Sequence, residues 1–255
     1  MAQSMIAQAK RLVVKVGTST LTYENGRLNI RRIEALVKVL SDIRNSGREV
    51  LLVSSGAIGV GAGHLGLKER PRDVEGKQAA AAVGQCELMY TYDKLFTEYN
   101  HTVAQVLLTA ADIEDKMRRH NVETTLQRLL QLGAIPVINE NDTVSTAEIA
   151  EVSTLGDNDT LASIVAVSVE ADLLVLLSDI EGLYTADPHK DPNATLIKDI
   201  TYQEALQKGL KVMDAAAFAL CAENHVPMVR VFGLDVPENL ISVLEGSDMG
   251  TFVHP

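Results

Sequence analysis

Arg11-Leu12-Val13-Val14-Lys15-Val16-Gly17-Thr18-Ser19 is a short, almost unbroken apolar run that ends in a lysine, a glycine and two hydroxyls. Six residues are too few for a stable helix, and the β-branched content favours a buried strand. Similar runs recur at 49–53, 102–107, 134–138, 173–177 and 228–232. Between them, apolar residues at helical spacing predict helices over 30–46, 74–99, 122–132, 158–169 and 212–224. The boundary residues agree: Asn29 precedes the first of these helices and Gly47 follows it, Gly133 follows the third, and Thr201 with Glu204 forms a capping box for a short extra helix. Strand and helix in steady alternation predict an α/β fold with a mainly parallel sheet covered on both faces.

Bulk properties narrow the function. The chain has 255 residues, 46% hydrophobic and 22% charged, which is ordinary globular composition with no sign of disorder. A net charge of −11 argues against binding nucleic acid or an anionic membrane, because both partners would be repelled. Cys86 and Cys221 lie far apart outside any CxxC pattern and read as reduced thiols of a cytoplasmic protein. Residues 1–11 contain no apolar core of a signal peptide, and the apolar stretch 164–177 is interrupted by Ser168, Glu170 and Asp172.

In parallel α/β folds ligands bind beyond the carboxyl ends of the strands, and the unusual loops of this chain all follow strands. Lys15 with Gly17 and Thr18 suits a phosphate: glycine lets backbone N–H groups approach an anion, and the ammonium neutralises it. The plainer reading is a lysine snorkelling at a strand end. Ser54-Ser55-Gly56 opens a helix with small residues, which suits either a bound carboxylate or close packing. Gly61-Ala62-Gly63-His64-Leu65-Gly66 fits GxGxxG but starts too far past its strand for a dinucleotide fingerprint, and His64 reads as a surface residue. Asn139-Glu140-Asn141-Asp142 and Asp157-Asn158-Asp159 supply amides and carboxylates that can hold an amino acid's ammonium and carboxylate, orient a lysine, or serve as turn residues. Ser178-Asp179 follows the most apolar strand and begins a turn-rich stretch through Tyr184 and Asp187, with Tyr184 a candidate neighbour of a base or ribose.

Taken together, 12–19, 54–58, 82–85, 105–109, 136–142 and 156–159 resemble the glutamate 5-kinases of the amino acid kinase family, over about 11–200. That resemblance implies an αβα sandwich and ATP-dependent phosphorylation of the glutamate side-chain carboxylate, with Mg²⁺, at the start of proline synthesis. It implies Lys15 and Asp159 as catalytic residues and Ser55, Asp142, Asp157 and Asn158 as glutamate ligands. The nucleotide would meet Lys15, Gly17, Thr18, Ser178, Asp179, Tyr184, Asp187 and Lys211. No separate protein metal site is expected. The family also implies a homo-oligomer, a dimer or tetramer.

One segment departs from that pattern. The glycine-rich GTGGM-x-T-K segment with a second catalytic lysine is missing, and 206–218 with 229–232 and 250–251 instead resemble the nucleotide half of bacterial UMP kinase. Asp214 falls near the lysine's expected place, leaving Lys211 or Arg230 to compensate. The expected organisation is one domain over 1–255, with an acceptor lobe to about 177, a nucleotide lobe beyond it and no additional C-terminal domain. Two rival readings are a UMP kinase-like nucleoside monophosphate kinase and a non-catalytic amino-acid-binding module.

Overall fold

Strand β1 (Arg11–Val16) lies in the interior of the sheet because Leu12, Val13, Val14 and Val16 need partners on both faces, and all four are fully buried. The computed structural model describes residues 2–145, 158–186, 191, 193–210, 213–233 and 235–255. The site candidates Asp157, Asp187 and Lys211 lie outside these described residues.

In chain order, α1 (Ala2–Gln8) and β1 are followed by α2 (Thr18–Leu21), α3 (Ile30–Asn45), β2 (Glu49–Val53), α4 (Ala57–His64) and α5 (Val74–Thr97). Next come β3 (Val103–Leu108), α6 (Ala110–Glu114), α7 (Lys116–Gln131), β4 (Ile135–Glu140), α8 (Asn158–Ser168) and β5 (Leu173–Ser178). The remainder comprises β6 (Leu183–Tyr184), β7 (Leu196–Ile197), β8 (Asp199–Thr201), α9 (Tyr202–Gln207), α10 (Ala215–Glu223), β9 (Met228–Phe232), α11 (Asn239–Leu244) and β10 (Thr251–His254).

The eight-stranded sheet has the order β3-β4-β2-β1-β5-β9-β10-β8. Its first six strands are parallel; β10 runs antiparallel to β9 and parallel to β8. Successive strand residues face opposite sides. Leu12, Val14 and Val16 therefore join the layer containing α3 and α5, while Val13 joins Leu161 and Val165 of α8 and Phe218 of α10. The fold is an αβα sandwich. Strand order reverses at β1, which has β2 on one side and β5 on the other, so the loops after β1, β2 and β5 open around a switch point. Among the described residues no helix is long and apolar enough to cross a membrane.

Helix starts follow their caps. Asn29 Oδ1 accepts from the Arg32 N–H at 3.2 Å, and Thr201 and Glu204 exchange both bonds of a capping box. Gly47 and Gly133 take positive φ just beyond α3 and α7. Two predicted helix starts need correction. Helix α7 begins at Lys116, ahead of the predicted 122, because Asp115 caps it by accepting from the N–H groups of Met117 and Arg118; the polar first turns carry no apolar signal. Helix α10 begins at Ala215 and not at 212, since Asp214 accepts from the N–H of Ala216. Helix α4 ends inside the GxGxxG stretch, and Gly61 serves packing against α5: a Cβ on it would lie 1.7 Å from the Ala80 carbonyl oxygen, and one on Gly84 of α5 would lie 1.8 Å from that of Ala57. His64 is exposed, 3.8 Å from Glu87.

Candidate active site

Period-two alternation puts Lys15 on the face of Val13, where it meets the first turn of α8. Lys15 Nζ lies 2.7 Å from Asp159 Oδ1, and both side chains are largely buried, 14% and 16% exposed. A desolvated pair of this kind holds a lysine in one place, and Asp159 also complements the amino end of α8. The neighbouring Asn158 ties α8 to the loop after β2: its Nδ2 donates to the Ser54 carbonyl oxygen at 2.8 Å and to Ser55 Oγ. Thr160 Oγ1 donates to Asp214 Oδ2 at 3.4 Å, so the residue near the expected second lysine is a helix cap anchored to α8.

Beside the Lys15–Asp159 pair lies a pocket of about 190 Å³, walled by Thr18, Ser55, Gly56, Asn139, Asp142 and Asn158, with Arg70 at its edge. Its walls form for local reasons. Gly56 turns from β2 into α4 at φ 90, a conformation that favours glycine, and a Cβ there would stand 3.1 Å from the Thr18 side chain. Asn139 is 2% exposed and locked by two bonds: its Nδ2 donates to Gln85 Oε1 at 2.8 Å, and its Oδ1 accepts from the Glu140 N–H at 3.0 Å. Behind the pocket, Ser54 Oγ and the Tyr92 hydroxyl are hydrogen-bonded at 3.0 Å; burial pushes the Tyr92 phenol well above its usual range, so it stays neutral. A larger cleft of about 620 Å³ adjoins the pocket and shares Thr18 and Arg70 with it.

On the other flank of β1, Ser178 closes β5. Its Oγ accepts from Arg230 Nε at 3.2 Å and Nη2 at 3.1 Å and from the Ile180 N–H at 3.3 Å, and donates to Asp179 at 3.3 Å. Gly17 has an ordinary φ of −84, and a Cβ there would meet nothing closer than 3.9 Å, so the space in front of it is open. The Tyr184 hydroxyl donates to Glu181 at 2.8 Å, which raises its pKa. The Leu183 N–H donates to Thr251 Oγ1 at 2.7 Å, fastening this loop to β10. Tyr184 lines neither the pocket nor the adjoining cleft.

The structure thus brings Lys15, Thr18, Ser55, Asp142, Asn158 and Asp159 to one strand-end cluster, with Ser178 and Asp179 beyond β1. Gly56, Ala57, Ile58, Asn139 and Arg70 line the pocket as well, beyond the ligands the resemblance implies. Asn139 was visible as part of an amide-rich motif, whereas Arg70 sits in an exposed run with no pattern to single it out.

Residues 10–232 match the model of the amino acid kinase family, and the chain belongs to that family. Within it, the chain is 46% identical over 259 residues to a glutamate 5-kinase of Clostridium perfringens, covering 96% of each. It is 47% identical over 257 residues to that of Symbiobacterium thermophilum, again 96% of each, and 47% identical over 262 residues to that of Moorella thermoacetica, covering 98% of this chain and 68% of the relative. Solved structures of UMP kinases from Bacillus anthracis and Ureaplasma parvum superpose with TM-scores of 0.71 and 0.69, each at 18% identity. They cover 96% of both chains in the first case, and 97% of this chain and 100% of the other in the second. At that identity they speak to the fold alone.

Proposed function

We infer that this chain is an ATP-dependent glutamate 5-kinase, transferring the γ-phosphoryl group of ATP to the side-chain carboxylate of glutamate at the start of proline synthesis. The observation that carries the reading is the Lys15–Asp159 pair beside a small polar pocket at the switch point of the sheet, in a chain that shares nearly half its residues with glutamate 5-kinases over almost its whole length.

The pocket chemistry suits an amino acid. Asp142 offers negative charge to the α-ammonium, while Asn158 and Ser55 offer hydrogen-bond groups to a carboxylate. About 190 Å³ suits a small metabolite better than a nucleotide. A γ-carboxylate is already ionised near neutrality, so no general base is needed. Its oxygen forms a bond to the γ-phosphorus, the bond to the β,γ-bridging oxygen breaks, and that electron pair leaves on ADP. No proton moves. Catalysis then rests on positioning and on neutralising the transferring group. Lys15 serves the second need, with Asp159 orienting it, while Gly17 and Thr18 leave room for phosphate oxygens and Ser178 and Asp179 flank the nucleotide.

Mg²⁺ would be carried mainly on the nucleotide phosphates, with at most one or two carboxylates such as Asp159 or Asp179 assisting. When bound, the ion would neutralise phosphate charge. We place the protein in the cytoplasm as a dimer or tetramer.

The reading is tested by ADP release from Mg-ATP with glutamate or UMP as acceptor, with hydroxylamine added to trap an acyl phosphate. Glutamate-dependent ADP with hydroxamate is the expected result. UMP-dependent ADP alone, or silence with both, would overturn it.

A further inference from the structure

The central strands of the sheet carry one more cation at their carboxyl ends. Lys15 on β1 is in register with Leu176 on β5, and Leu176 with Arg230 on β9. All three lie in one row, and side chains in one row of a parallel sheet share a face. Residue Met228, two positions before Arg230, packs in the same layer as Val13 and α8, so Arg230 also points to the Lys15 side. At normal strand spacing the two backbones are about 10 Å apart, a gap that two extended cationic side chains can close on a phosphoryl group. Arg230 is half-buried, and its side chain is directed to the strand ends by the two bonds to Ser178 Oγ.

Burial lowers the Arg230 pKa, and the fields of Asp159 and Asp179 oppose that shift. A guanidinium stays charged in such a place. Apart from Arg11 at the opposite end of β1, Lys15 and Arg230 are the only basic residues on β1, β5 and β9. Lys15 already shares its charge with Asp159 at 2.7 Å, so one ammonium leaves the transferring group under-neutralised.

We propose that Arg230 is a catalytic residue, the second cation that contacts the γ-phosphoryl group during transfer, opposite Lys15 across β5. This rests on the glutamate-kinase reading above. The balance of the reaction is unchanged: the carboxylate oxygen gains the phosphorus, the bridging oxygen of ADP keeps the electron pair, and Arg230 holds its protons throughout. Its role is to stabilise charge that grows in the transition state, and the planar fork of nitrogens suits phosphate oxygens.

The test uses R230A and R230K in the full chain, read by glutamate-dependent ADP and hydroxamate formation. In R230A, kcat should fall about a hundredfold or more, as for loss of one aimed donor, with the glutamate KM within about threefold. Guanidinium at a sub-denaturing concentration should restore at least about tenfold of the lost rate in R230A and leave the wild type unchanged. A purely structural arginine that holds the Ser178 loop predicts no such rescue. R230A turnover within about threefold of wild type, or a loss that guanidinium does not restore, overturns the proposal. Should R230A fail to fold, R230K decides: turnover between about a third and a hundredth of wild type supports the proposal, and full or absent turnover overturns it. A wild-type protein that forms no hydroxamate would sink the kinase reading itself, whereas an active wild type with an indifferent Arg230 would sink only this inference.

Discussion

In the proposed reaction Lys15 carries the most weight, because transfer to a carboxylate asks for charge neutralisation and little else. Lys15→Met should lower kcat by about a hundredfold, or roughly 3 kcal/mol of transition-state stabilisation, while the glutamate KM changes little. The same change strands Asp159, a carboxylate only 16% exposed, and should cost about 3 kcal/mol of folding stability. Adding Asp159→Asn should recover most of that stability and none of the turnover; denaturant melts and steady-state rates measure the two effects separately. Asn158→Ala removes a side chain that bonds the loop after β2 and lines the pocket, so the glutamate KM should rise about tenfold. An unchanged KM would move glutamate out of this pocket. Lys15 near the end of β1, Ser55 and Asp142 just past β2 and β4, and Asn158 at the start of α8 stood out in sequence because each sits in a local run of glycines, hydroxyls or amides. Arg230 gave a weaker signal, one charge in an apolar strand, and its meaning depends on a register between β1, β5 and β9 that spans most of the chain.

At the level of elements, helix caps and glycines carry the testable content. Helices α4 and α5 touch backbone to backbone, so Gly61→Ala and Gly84→Ala should each lose about 1–3 kcal/mol or more, read from urea midpoints at constant m. A change below about 0.5 kcal/mol would show that the two helices can part without cost. The Glu204 carboxyl is held below its usual pKa, chiefly by the Thr201 backbone N–H and then by its hydroxyl. A depressed carboxylate adds stability above its unfolded pKa of about 4.3, and that contribution disappears as pH falls through the folded value. The Tm gap between wild type and Glu204→Ala should therefore be widest near neutrality and close below about pH 4. Caps of this kind have strong sequence signatures, which is why α3 and α9 were readable, while α5 followed from its apolar spacing. The start of α7 was not, because its first turns are polar and exposed. Neither was β10, whose pairing with β8 and β9 is set by contacts distant in sequence.

For the whole molecule, alternating apolar runs and helical periods were enough to foresee a mainly parallel sheet with a site at its strand ends, since that architecture follows from burying both faces. The substrate came from the motifs in sequence, and the overall shape alone would have served a UMP kinase as well. The central claim is therefore a bond: a glutamate carboxylate oxygen joined to the γ-phosphorus. It can be followed with glutamate carrying ¹⁸O in its side-chain carboxylate, incubated with Mg-ATP and hydroxylamine. Hydroxylamine cleaves the acyl C–O bond, so the phosphate released should carry one ¹⁸O from glutamate in step with hydroxamate formed. Unlabelled phosphate alongside ADP would mean that water, not glutamate, takes the phosphoryl group, and would contradict the account.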